Sequence, residues 1–221
     1  MKVTQGTEIY QKLKQDIILL RLKPEQQLSI KDLASSFGVS RSPIRDALLK
    51  LSNERLVEII PQSGCKVTLI NMDVAEQERF IRKSVELEMI KRKRLNITKD
   101  FITKQKSNLE LQKNALEDSD LERFFKLDEE FHKRLFEASD LQFTWDIIEN
   151  NTYSSYQRIR VLSMQVENIN DVILAQHAKI LEALAQKNFT KLLEFENKHI
   201  SKISDEIPLL YSQFPLYFAH L

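Results

Sequence analysis

Apolar positions recur at helical spacing along most of the chain. Ile9, Leu13, Ile17 and Leu20 predict a helix over 8–21. Pro24 follows it, and Ser29 then opens a short second helix with Asp32 three residues on, close to a capping box. Gly38 suits a left-handed C-terminal stop, and Ser40 caps a third helix over about 41–53. Pro43 falls in its first turn, where no intrahelical partner for the N–H is lost. The pattern then changes. Leu56–Ile60 and Cys65–Leu69 are β-prone runs joined by Pro-Gln-Ser-Gly, which predicts a hairpin.

From Asn71 the helical period returns and predicts six helices, over about 72–95, 99–117, 120–138, 141–166, 170–187 and 189–213. Thr98, the Ser119-x-x-Glu122 box and Asn188 are the capping signals for the second, third and sixth. The fold class is therefore mainly α: an N-terminal winged helix-turn-helix, then a six-helix antiparallel bundle. The domain boundary is expected at 70/71.

Composition narrows the function. Glycine occurs only at 6, 38 and 64, which disfavours the glycine loops of P-loop and dinucleotide-binding proteins. The single cysteine, Cys65, allows no internal disulfide. With no apolar stretch near the roughly 18 residues of a membrane span, a soluble cytoplasmic protein is expected. Net charge is +1, but residues 1–70 hold 11 Lys/Arg against 7 Asp/Glu, while the rest holds 22 against 25. The basic excess sits where a DNA-facing surface would need it.

The third helix has two faces. Ile44, Ala47, Leu48 and Leu51 are spaced to pack inward, while Arg41, Ser42 and Arg45 share the opposite face near the N-terminus. A recognition helix uses such residues on base edges, and arginine can grip guanine with two hydrogen bonds. Taken singly, the arginines would read as solvated surface charge.

Three of the four histidines lie on apolar helical stripes. Asp128 and His132 stand one turn apart among Leu121, Phe124, Phe131 and Leu135. His177 joins Ile173, Ile180 and Leu184, and His199 joins Leu192, Phe195 and Ile203. His177 lies eleven residues before Asn188 and His199 eleven after. In a helical hairpin turning at Asn188, both fall about 16 Å from the turn and meet at one level. Imidazoles with a carboxylate suit a first-row divalent metal. Arg82, beside Val85, Glu86 and Met89, is a first candidate clamp for a carboxylate ligand, with Arg158 second. An intrahelical Arg82–Glu86 ion pair is the competing reading. His220 is read as ordinary tail.

The run Leu33–Leu51 and the segment Leu56–Val67 resemble the GntR family of bacterial regulators, on Leu33-Ala34, Gly38-Val39-Ser40-Arg41, Pro43-x-Arg45 and Gly64. The resemblance implies that Arg41, Ser42 and Arg45 contact DNA. It further implies that Lys31 reaches phosphate and that Ser63-Gly64 at the wing tip enters the minor groove. The family's usual Pro-Gly after the first helix is Pro24-Glu25 here, the glycine before the wing is Arg55, and the basic residue before the wing glycine is Ser63. Residues 74–205 resemble the FCD ligand-binding domain of the FadR branch, more in the manner of its six-helix VanR subgroup. The motifs are Arg82-x-x-x-Glu86, Asp128-x-x-Phe131-His132, His177-x-x-Ile180-Leu181-x-Ala183-Leu184 and Lys198-His199-Ile200. The asparagine usual after the third helix is Leu141.

That resemblance implies a metal such as zinc or nickel on Asp128, His132, His177 and His199, with a small organic acid beside it. The expected function is a homodimeric, non-enzymatic repressor on a palindromic operator, controlled by a carboxylate effector. Two other readings stay open: a metalloenzyme fused to a DNA-binding domain, and a dimerisation module with a structural metal.

Overall fold

A computed structural model describes residues 5–61, 64–151 and 154–219. Two compact units emerge: residues 1–75, 154–161 and 211–221 form the first, and 76–153 with 162–210 form the second.

In the first unit, α1 (Gln5–Ile18), α2 (Ile30–Phe37) and α3 (Arg41–Asn53) precede the strands β2 (Val57–Ile60) and β3 (Gly64–Val67). Ile9, Leu13, Ile17, Ile44, Leu48 and Leu51 close the helical core, all at 2% exposure or less. Each such side chain contributes about 1.5–3 kcal/mol by leaving water. Ser29 Oγ accepts from the Asp32 amide, and Gly38 ends α2 at φ 64°. Ser40 stands at the start of α3 but makes no capping hydrogen bond, so that expected cap is absent. The hairpin forms with Val57 opposite Val67 and Ile60 opposite Gly64. A two-residue strand, β1 (Gln27–Leu28), adds to the other side of β3, giving the order β1-β3-β2. Two residues are too few to carry a period, so nothing in the pattern announced it.

The two departures from family glycines acquire a physical meaning here. Glu25 and Arg55 adopt φ 66° and 61°, the left-handed region that glycine enters without cost. Each marks a turn that the backbone makes whatever side chain is present. Later in the same unit, Ile70 bridges to Phe218, and Arg158 donates to the carbonyls of Ser154, Thr68 and Leu69.

The remaining helices are α4 (Met72–Lys91), α5 (Lys99–Glu117), α6 (Leu121–Glu137), α7 (Gln142–Asn151), α8 (Tyr156–Ser163), α9 (Ile169–Ala185) and α10 (Phe189–Gln213). The single helix expected over 141–166 is thus two. Among the described residues the C-terminal part holds seven helices rather than six. The described part of α7 ends at Asn151, and α8 begins at Tyr156 after Ser154-Ser155. Thr98 Oγ1 caps α5 through the Phe101 amide, and Asn188 Oδ1 accepts from Lys191 N–H. Asp120, not Ser119, caps α6, while Ser119 itself turns at φ 56°.

Candidate DNA interface and metal centre

On α3, Ile44, Ala47, Leu48 and Leu51 are buried, while Arg41, Ser42 and Arg45 are exposed together at the N-terminal end. Lys31 on α2 and Gly64 at the start of β3 are also exposed. Among the described residues Lys31, Arg41 and Arg45 enter no ion pair. Their charge is carried at the surface. Ser63 and His220 lie outside the described residues.

The second unit has a different interior. Asp128 and His132 on α6, His177 on α9 and His199 on α10 bring four ligand atoms within 4.8 Å of one another. His132 Nε2 lies 3.1 Å from His199 Nε2, which lies 3.3 Å from His177 Nε2. His177 Nε2 is 3.5 Å from Asp128 Oδ1. Asp128, His132 and His177 are fully buried, and His199 is partly exposed. The hairpin argument therefore placed His177 and His199 at one level correctly. Phe131 stacks on the His177 ring at 4.4 Å and holds it flat.

The far side of each ring explains the convergence. His132 Nδ1 faces Glu86 Oε2 at 3.1 Å, His177 Nδ1 faces Gln112 Oε1 at 2.8 Å, and His199 Nδ1 faces Gln176 Oε1 at 2.9 Å. Each acceptor favours a proton on Nδ1, so a neutral ring presents its Nε2 lone pair to the others. Bare Nε2 atoms turned toward each other at these distances repel unless a proton or a metal ion sits among them. A metal with M–N bonds of about 2.0–2.1 Å holds neighbouring nitrogens roughly 2.9–3.4 Å apart, between octahedral and tetrahedral angles. The observed spacings fall in that range, so the donor set fits a divalent ion.

The surrounding charge is also built for a cation. Burial would raise the Glu86 carboxyl, but Arg82 and His132 outweigh it and hold it well below the usual range. Burial, with Glu86 alongside, pushes Glu196 up to about 7 against the pull of His132. Burial and Arg82 oppose charge on His132, yet Glu86 and Glu196 prevail and raise it to about 9. The carboxylates that would draw a proton to this spot would equally draw a metal. His199 is driven well below its ordinary value by burial and by His177 and His132. It stays neutral and able to ligate.

Arg82 is buried, and its Nε donates to Glu86 at 2.6 Å while Nη1 reaches Glu129 at 3.2 Å. The intrahelical pair foreseen as an alternative is thus present. Arg82 also sits within 5.9 Å of the Trp145 ring centre. Arg158 belongs to the first unit. Its guanidinium braces backbone carbonyls at residues 68, 69 and 154.

Glu86 was noticed only as a partner for Arg82, and Glu196, Gln112 and Gln176 were missed. A signal for Gln112 existed. Gln105, Asn108 and Gln112 share one buried stripe of α5 with Phe101 and Ala115. Amides at core spacing mark a buried network rather than a wet face.

The sequence comparisons agree with this architecture. Residues 5–67 match the bacterial regulatory proteins of the gntR family, and residues 79–201 match the FCD domain. The HTH-type transcriptional repressor RspR of Escherichia coli K12 is 32% identical over 200 residues, covering 90% of this chain and 87% of that protein. A Streptomyces ambofaciens HTH-type transcriptional regulator from an unstable DNA locus is 31% identical over 217 residues, covering 98% and 90%. The solved structure of E. coli McbR/YncC superposes with a TM-score of 0.78 at 20% identity, covering 96% of this chain and 99% of that one. Among the described residues no helix is long and apolar enough to cross a membrane. With both family models matched and a relative above 30% identity along nine-tenths of its length, this chain belongs to the GntR family of DNA-binding transcriptional regulators and carries an FCD domain.

Proposed function

We propose that the chain is a non-enzymatic repressor whose operator affinity is set by a small organic acid bound at a divalent metal in the helical unit. Asp128, His132, His177 and His199 are the metal's ligands, and zinc or nickel suits them. The observation that carries this reading is the convergence of three Nε2 atoms at 3.1 and 3.3 Å, each ring braced through Nδ1. Four protein ligands leave positions open on a metal that accepts six, and the effector's carboxylate fills them. Arg82 is the residue nearest in chemistry to a second carboxylate anchor. Arg158 is withdrawn from that role because its donors already hold the backbone.

DNA is read by Arg41, Ser42 and Arg45, with Lys31 on phosphate and Ser63-Gly64 in the minor groove. A palindromic operator and a homodimer follow from the half-site that one recognition helix can cover. Residues 1–70 serve DNA, and 71–221 serve the effector and dimerisation. The protein works in the cytoplasm, where its operator is. The relative named as a repressor supports that sign of control.

The test is His177→Ala, assayed for metal content and for operator binding with and without a panel of small carboxylic acids. The variant is expected to lose metal and effector response while binding the operator as before. A metal-free variant that responds like the wild type contradicts the mechanism.

A further inference from the structure

The polarity of one buried hydrogen-bond chain is fully determined by its far end. Asn108 Nδ2 lies 3.1 Å from the backbone carbonyl of Leu127, which can only accept, so the Asn108 amide is fixed with Oδ1 turned toward Gln112. Gln112 Nε2 donates to that Oδ1 at 2.7 Å and lies 3.5 Å from the same Leu127 carbonyl. The Gln112 amide is thereby fixed too, with Oε1 2.8 Å from His177 Nδ1. An amide oxygen accepts only, so His177 must carry its proton on Nδ1. Asn108 and Gln112 are at 1% and 0% exposure, so water offers no alternative partner.

This matters because His177 has a rival acceptor. Asp128 Oδ1 stands 3.5 Å from Nε2 and would draw the proton to that nitrogen. A proton on Nε2 would remove the lone pair turned toward His132 and His199. For a neutral ring to carry its proton there, the Gln112 amide would have to flip and set its oxygen against the oxygen of Asn108, which costs a buried hydrogen bond and adds a repulsion. We infer that Asn108 and Gln112 form a two-amide relay, anchored on the Leu127 carbonyl, that holds His177 in the Nδ1–H tautomer and keeps Nε2 open for a cation. Gln112 is a positioning residue and touches no metal itself. The purpose of the relay rests on the metal reading above, whereas the tautomer does not.

The experiment is long-range 15N NMR of the histidine rings in the full-length, metal-stripped protein, paired with zinc affinity by chelator competition. Wild type is expected to show His177 protonated at Nδ1, and Gln112→Met to shift it toward Nε2. Zinc affinity should fall about 10–100-fold in Gln112→Met, the usual scale for losing such a support. Gln112→Glu keeps an oxygen facing Nδ1 and should restore the Nδ1–H tautomer, while its second oxygen, set against Asn108 Oδ1, leaves the affinity between those of Gln112→Met and wild type. Wild-type His177 protonated at Nε2 overturns the relay, and that spectrum decides even if Gln112→Met does not fold. A tautomer unchanged in Gln112→Met also overturns it. Wild type that takes up no zinc, yet shows the Nδ1–H form lost in Gln112→Met, upholds the relay and overturns the metal reading.

Discussion

The N-terminal segment and the helical unit handle polarity in opposite ways. In residues 5–61 and 64–75 every buried side chain is apolar, and the charged groups of α2 and α3 lie outside. In the helical unit Arg82, Glu86, Gln105, Asn108, Gln112, Asp128, His132, His177 and Glu196 are all buried. Burying an unpaired charge is costly, so an interior of this kind persists only where each group is satisfied or serves a ligand. The lesson is that the N-terminal segment keeps its charge on the surface of an apolar core, whereas residues 154–161 of the same unit bury Ser155, Gln157, Arg158 and Arg160. The helical unit has drawn its charge inside.

That contrast can be broken most severely at Glu86. Removing it takes a close carboxylate from the buried Arg82 guanidinium and an acceptor from His132 Nδ1. Glu86→Ala should lower unfolding free energy by about 3–5 kcal/mol in chemical denaturation, the cost of breaking a buried pair from one side. A loss below about 1 kcal/mol would show that this interior tolerates polarity as a surface does.

The DNA-binding unit should answer in the opposite currency. Arg45→Ala should leave stability within about 0.5 kcal/mol, because the side chain is exposed. It should nonetheless cost about 1–3 kcal/mol of operator discrimination, measured as the ratio of specific to non-specific affinity. Lys31→Ala should weaken all sequences alike and reduce the slope of affinity against salt by about one. An unchanged specificity ratio in Arg45→Ala would put the reading face elsewhere.

The smallest effect sharpens the picture of the backbone. Arg55 sits at φ 61°, where a side chain is strained. Arg55→Gly should be neutral or stabilising by up to about 1 kcal/mol, since relief of the left-handed strain is partly offset by glycine's greater freedom when unfolded. Thermal denaturation checks it, and a clear loss of stability would mean that the arginine makes a contact worth more than the strain.

These differences also explain what could be read in advance. The first unit follows from local rules: Gly38 stops α2, the apolar side of α3 repeats at helical spacing, and the Pro-Gln-Ser-Gly turn separates two β-prone runs. The histidines were legible because polar residues on apolar stripes stand out, and because equal spacing about Asn188 predicts a meeting point. Gln112 shares core spacing with Gln105 and Asn108, but its partner His177 lies on another helix that only the fold brings alongside. The role of Arg158 was hidden for a related reason. A lone arginine suggests a ligand clamp, and only the fold shows the carbonyls of Thr68 and Leu69 in its grasp.

The central claim is that the polar interior of the helical unit is organised around a cation. Titration of metal-stripped protein with cobalt(II), followed by its visible absorption, tests this most directly. The account predicts uptake of one ion per chain, with nitrogen-ligated bands that disappear in His199→Ala. Absence of stoichiometric uptake by the wild type, or identical spectra from His199→Ala, would contradict it.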